Sequence, residues 1–105
     1  MFPDGAAMPF EAAIDTGFDG YLSVTPDEAA RARMPFREVR TYELGSGQLV
    51  EFPVHDATVM WDSQEVEVPA LVTDGGFLIG MAMLTGYVLH IDVIDGGEVR
   101  IERRI

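Results

Sequence analysis

The stretch Ala13-Ile14-Asp15-Thr16-Gly17 decides how the rest of the chain is read. Two apolar residues run into an acid, a small hydroxyl residue and a glycine. Met8 to Ile14 reads as a strand interrupted at Pro9, so Asp15 sits where that strand breaks into a loop. Gly17 can take backbone angles closed to other residues and leaves room for a second segment or a ligand. Thr16 brings a hydroxyl that can tie the loop down. An Asx turn between strands explains the same tripeptide, so its meaning depends on what the remaining chain supplies.

Working outward, residues 1–7 form a loose lead-in, and Tyr21-Leu22-Ser23-Val24 reads as a second strand after Asp19-Gly20. Thr25-Pro26-Asp27-Glu28 opens the one clear helix, with Thr25 as cap, Pro26 in the first helical position and Glu28 completing a capping box. Pro35 is expected to end it. From Val39 the chain turns β. Thr41–Leu44 and Gln48–Glu51 flank Gly45-Ser46-Gly47, a flexible hairpin tip. Phe52 and Val54 share one face, whereas Ala57, Val59 and Trp61 follow the opposite alternation, and a bulge at His55-Asp56 would produce that change. Asp62-Ser63 predicts a turn. Val66, Val68, Ala70 and Val72 predict a half-buried strand.

Asp74-Gly75-Gly76 breaks the chain before Phe77-Leu78-Ile79-Gly80, and Met81-Ala82-Met83-Leu84 suits one helical turn. Tyr87 to Val93 alternates as a strand, Asp95-Gly96-Gly97 turns, and Val99 and Ile101 define a last strand. Many short strands with one or two short helices predict an all-β fold, a small closed barrel or a sandwich.

The 105 residues suffice for one domain with a single core, and 48% hydrophobic content favours a globular chain. There is no cysteine, which excludes disulfides and thiolate zinc sites. Apolar runs fall short of a membrane span, and Met1-Phe2-Pro3-Asp4 does not begin a signal peptide, so cytoplasmic residence is the expectation. Eighteen acids oppose seven arginines and no lysine, a net charge of -11 that repels phosphate backbones and argues against nucleic acid. Arg100, Arg103 and Arg104 read as a solvated tail. His55 and His90 stand alone as surface residues, so no metal is assigned. Trp61 reads as a core or rim aromatic, and the methionines as fillers of core gaps.

Asp15-Thr16-Gly17-Phe18, the glycine-tipped hairpin at 41–52 and Leu78-Ile79-Gly80 occur in an order that resembles the single-lobed, retropepsin-like (clan AA) aspartic proteases, in particular the small prokaryotic group marked by Asp-Thr-Gly-Phe. Asp19-Gly20-Tyr21-Leu22 and Met81-Ala82-Met83-Leu84 with Gly86-Tyr87 extend the likeness from about Phe10 to Ile101. The resemblance implies a closed acid-protease barrel spanning residues 1–105 and an aspartic endopeptidase without a cofactor. It implies that Asp15 is catalytic and that Thr16 and Gly17 complete the active loop. Phe18, Asp19, Tyr42, the flap tip Gly45-Ser46-Gly47 and Leu78, Ile79 and Gly80 would meet a peptide or protein substrate. The sequence departs from the viral members' pattern, with Phe18 where they usually have alanine or serine and Met81-Ala82 where they have an arginine-led turn. The shared-proton mechanism needs two carboxylates and this chain has one Asp-Thr-Gly, so the resemblance implies a homodimer. A catalytically silent dimeric peptide-binding module of the same fold, or a monomeric acidic scaffold, fits the composition too.

Net charge doubles in such a dimer, so self-association is expected to weaken as ionic strength falls. A dimer constant from analytical ultracentrifugation that is the same at low and high salt would contradict this.

Overall fold

The computed structural model describes residues 9–104. The predicted lead-in and the start of the first strand at Met8 lie outside the described residues. Strand β1 is Ala13–Ile14, β2 Leu22–Val24, α1 Pro26–Arg31, β3 Phe36–Glu43, β4 Leu49–Trp61, β5 Gln64–Val72, β6 Leu78–Ile79, α2 Met81–Leu84, β7 Tyr87–Ile91 and β8 Val99–Arg103. Strands dominate, as the alternation predicts. Six of them form one sheet in the order β1-β6-β2-β5-β4-β3, and β7 and β8 form a separate ribbon. Where the sequence predicts ring closure, the described strands leave this sheet open, with β1 and β3 at its ends.

β1 is shorter than its apolar run, and Ala13 N–H reaches Phe77 O. β2 is central, pairing parallel to β5 and antiparallel to β6, and all three of its residues are buried. Its polar member, Ser23, shares a 2.8 Å hydrogen bond with the Thr73 hydroxyl. That bond removes the cost of burying an unpaired hydroxyl.

The capping box is present in both halves: Thr25 Oγ1 accepts from Glu28 N at 3.2 Å, and Glu28 Oε1 accepts from Thr25 N at 2.8 Å. The helix ends at Arg31, earlier than Pro35 alone would require. Arg33 N–H bonds to Ala30 O and Met34 N–H to Ala29 O, with Arg33 at φ 51°. That is a Schellman ending with an arginine in the left-handed position usually held by glycine.

The core gathers Leu22, Val24, Ala57, Val59, Val68, Ala70 and Val72 from the sheet, Ala29 from α1 and Met83 from α2. In β5 the predicted face is the buried one. In β4 the change of face is real but has another cause. Pairing of β4 with β5 runs without interruption from Val54↔Leu71 to Trp61↔Gln64. Val54 and Ala57 therefore bury on opposite sides of one regular strand. The irregularity lies in β3, between Phe36 and Glu38, with Arg37 as the extra residue. Asp62 and Ser63 both take positive φ, 52° and 63°, the left-handed pair that matches strand twist in a two-residue hairpin.

Several side chains are more engaged than their sequence context predicts. His55 is half-buried; its Nδ1 lies 2.8 Å from Met34 O, and its ring sits edge-on to Phe36. His90 is exposed and 3.3 Å from Glu102. Met83 fills the core, but Met60 and Met81 are exposed. Among the described residues no helix is long and apolar enough to cross a membrane.

A two-stranded ribbon is marginal in water by itself, and β7–β8 is held to the sheet at the β4–β5 turn. Trp61 meets Tyr87 edge-on with ring centroids 5.8 Å apart. Asp62 accepts from Arg103 Nε at 2.8 Å, from Arg103 Nη2, and from the Tyr87 hydroxyl at 3.1 Å. Arg100 pairs with Glu98 and Glu102. The predicted solvated tail is thus corrected: Arg100 and Arg103 are paired within the same chain, because β8 carries them back across acids.

The Arg103 guanidinium holds the Asp62 carboxyl below its ordinary value of 3.8. A carboxyl lowered on folding adds stability above its unfolded value and loses it as pH falls through the folded one. Protection of the Tyr87–Ile91 amides, taken relative to their intrinsic exchange rates, is therefore expected to fall as pH drops below 3.8. Asp62→Asn should exchange fast already at neutral pH and show little of that acid step, as hydrogen-exchange NMR can measure.

Candidate active site

β1 delivers Asp15 directly from its pairing with β6. Ala13 and Ile14 lie beside Leu78 and Ile79 in parallel register, and Asp15 N–H continues the ladder by donating to Ile79 O at 2.9 Å. The chain then turns. Asp15 Oδ1 accepts from Gly17 N–H at 2.9 Å, and Asp15 O accepts from Phe18 N–H at 3.1 Å. This is an Asx turn closed by its own backbone. It uses one carboxylate oxygen, and Oδ2 has no hydrogen bond among the described residues. Asp15 is half-exposed, and Thr16 and Gly17 are exposed. A side chain at position 17 would begin 3.3 Å from Asp15 Oδ1, so glycine keeps the carboxylate uncrowded.

A second set of bonds ties this loop to the residues after β6. Gly80 N–H donates to Tyr21 O at 2.9 Å, Met81 N–H to Phe18 O at 2.8 Å and Ala82 N–H to Gly20 O at 3.1 Å. At Gly80 an added Cβ would overlap the Gly20 carbonyl oxygen and stand 2.6 Å from Phe18 Cδ2. At Gly20 it would stand 2.6 Å from the tip of the same ring. The Phe18 ring thus lies over two glycines. Its size is accommodated by missing side chains on both sides.

Asp15, Thr16, Gly17, Phe18, Leu78, Ile79 and Gly80 therefore come together in one hydrogen-bonded unit. Asp19 is exposed and forms no ion pair among the described residues. The hairpin residues stand apart, with their described contacts inside the β3–β4 hairpin. Leu44 N–H donates to Gln48 O and Gly47 N–H to Leu44 O, each at 2.8 Å, and Ser46 Oγ accepts from Gln48 N at 3.4 Å. Gly47 has φ 85°, which requires glycine. A Cβ on Gly45 would meet nothing within 4 Å. Tyr42 packs its ring on Phe52 at 6.0 Å and is exposed.

A groove of about 1490 Å³ lies away from this loop. It runs behind β1, and of the sequence-predicted site residues it is lined by Ile79 alone. Sequence reasoning missed it because its walls come from β1, α1, β4 and β8, and no local pattern encodes their separation. It also missed the contact of Gly20 with Gly80, since Asp19-Gly20 reads as an ordinary turn. Among the described residues no three His, Asp or Glu side chains gather as metal ligands.

What the loop can do chemically follows from this geometry. It presents one carboxylate at the surface on a rigid base, with a free oxygen for a proton or a hydrogen bond. One carboxylate so placed can act as a proton acceptor. Compared with protein-family models, with curated proteins and with solved structures, the chain matches none.

Because the atoms meeting Gly80 are backbone as well as ring, they have little room to yield. Gly80→Ala is expected to destabilise the fold by about 3 kcal/mol, within the range for overpacking a close contact. Urea denaturation measures it, and a loss under about 1 kcal/mol would contradict the tight junction. Gly45→Ala, in open space, is the matched control.

Proposed function

We propose that this chain is an aspartic endopeptidase of the retropepsin-like type, acting as a homodimer on extended segments of peptides or proteins. The observation that carries the reading is the Asp15 loop. It is a carboxylate on an Asx turn, anchored through its own N–H to Ile79 and through Phe18 and Gly20 to the residues after Gly80. A catalytic acid needs such a base, because small displacements of a reacting group are costly in rate.

In this reading two copies bring their Asp15 carboxylates together on a two-fold axis. Two such acids about 3 Å apart do not both ionise readily, so the pair holds one proton. The ionised member takes a proton from water as its oxygen attacks the scissile carbonyl. The protonated member donates to the carbonyl oxygen. Collapse of the tetrahedral species breaks the C–N bond, and the leaving amine takes a proton from the dyad. Thr16 bonds across to the partner loop, and Gly17 runs beside the substrate backbone. Gly45-Ser46-Gly47 closes as a flap and excludes bulk water. Phe18, Asp19, Tyr42, Leu78 and Ile79 shape the cleft, and barrel closure belongs to the same proposal.

Asp15→Asn is expected to leave folding intact and reduce cleavage of a diverse peptide library by a factor on the order of a thousand or more, as for loss of a residue acting within a catalytic unit. The comparison is run from pH 3 to 8, with oligomeric state recorded in each buffer. Cleavage should show a bell-shaped pH dependence, because the dyad works only with one proton. Equal cleavage by the folded Asn variant, or cleavage by a monomer, would overturn the proposal. Binding of peptides without cleavage by a folded dimer would favour the silent module.

A further inference from the structure

The β7–β8 ribbon has an open edge along β8. Arg104 N–H donates to Gly86 O at 3.2 Å and Asp92 N–H to Glu98 O at 2.9 Å, so the even-numbered residues here turn their backbone groups towards β7. The two-residue period of a strand turns the N–H and C=O groups of Val99, Ile101 and Arg103 the other way. No described strand pairs with that side. Such an edge is a template for a further strand.

The charges beside this edge are self-complementary. Glu98, Arg100, Glu102 and Arg104 follow one another on one face, and all are exposed. Laid antiparallel to a copy of itself about Ile101, the strand sets Arg100 against the partner's Glu102 and Glu98 against the partner's Arg104. These are the non-hydrogen-bonded pairs, whose side chains lie closest. In the same register the outward backbone groups meet, Val99 against the partner's Arg103 and Ile101 against the partner's Ile101. A slip of two residues in either direction keeps the backbone bonds but puts arginine on arginine and glutamate on glutamate. Parallel pairing in register does the same.

The charges are already near their partners. Within the chain Arg100 holds Glu102 at 2.8 Å and Glu98 at 3.9 Å, and His90 lies 3.3 Å from Glu102. Arg104 forms no ion pair among the described residues. A chain of net charge -11 repels its copy over most of its surface. At β8, by contrast, Arg100, Arg103 and Arg104 stand against Glu98 and Glu102.

We infer that β8 is a contact between two copies of this chain, paired antiparallel about Ile101 so that two ribbons become one sheet in the order β7-β8-β8-β7. Main-chain hydrogen bonds supply affinity, and the alternating charges fix register and direction. Val99, 53% exposed, packs on the aliphatic stem of the partner's Arg103. A ribbon that is marginal by itself gains a wider sheet. The inference does not rest on the peptidase reading, because no residue of the Asp15 loop lies on β8 and the test reads mass and exchange, not turnover.

Sedimentation velocity of the full chain over a concentration series gives the dimer constant. Arg100→Glu meets the partner's Glu102 with a like charge, and Glu102→Arg meets the partner's Arg100. Each variant alone is expected to dimerise roughly tenfold more weakly than the wild type, or worse. An equimolar mixture of the two restores both opposite-charge contacts between unlike chains and should dimerise about as tightly as the wild type. Circular dichroism checks folding. If either variant fails to fold, hydrogen-exchange NMR on the wild type decides: the amides of Val99, Ile101 and Arg103 should gain protection as rising concentration drives dimerisation. A wild type that stays monomeric into the millimolar range overturns the inference. So does a dimer indifferent to both substitutions, or a mixture no tighter than its components. Outward amides already protected in the monomer overturn it as well, because the edge would then be covered within the chain.

Discussion

The close approach of Gly80 to Gly20 beneath the Phe18 ring is the constraint on which the rest depends. No side chain separates the two backbones, so three N–H groups after β6 reach the carbonyls of Phe18, Gly20 and Tyr21. These bonds fix β6 between β1 and β2, and β6 in turn positions Asp15 through the Ile79 carbonyl. Residues from the beginning and the last third of the chain thus form one rigid loop pair. The free energy is not in any single bond, each worth about 1 kcal/mol net. It lies in the mutual dependence of the set, since shifting one backbone forces the others to break.

The sheet around this junction has buried residues on both of its faces. β4 is long and regular, and its inner half packs Ala57 and Val59 on the core while Val54 is buried on the other side. A strand can do this only if different elements cover its faces at different points along its length. The alternation in the sequence registered the change of face correctly. It could not say that the strand itself stays regular, because a bulge and a change of cover leave the same trace in one dimension.

The candidate site was legible to the extent that it is local. Asp15-Thr16-Gly17 announces a loop by residue type, and its Asx turn follows from Asp two residues before an unhindered glycine. Gly47 and the hairpin were similarly plain. The role of Phe18 was not, because its ring packs on glycines distant in sequence. Arg103 was read as solvated because nothing near it in the chain shows that β8 will carry it to Asp62. The groove along β4 was invisible for the same reason.

By itself the sequence determined the strand-dominated class, the capped helix, the turns at Gly45–Gly47 and Asp62-Ser63, and the acid loop. Each of these is set by backbone preference or by alternation within a few residues, and needs no knowledge of distant neighbours. Only the tertiary structure decided which strands adjoin, which face of β4 is covered where, and that a groove lies behind β1. Those are outcomes of packing between segments far apart in the chain, where the available space, and not the local preference of any residue, selects the arrangement.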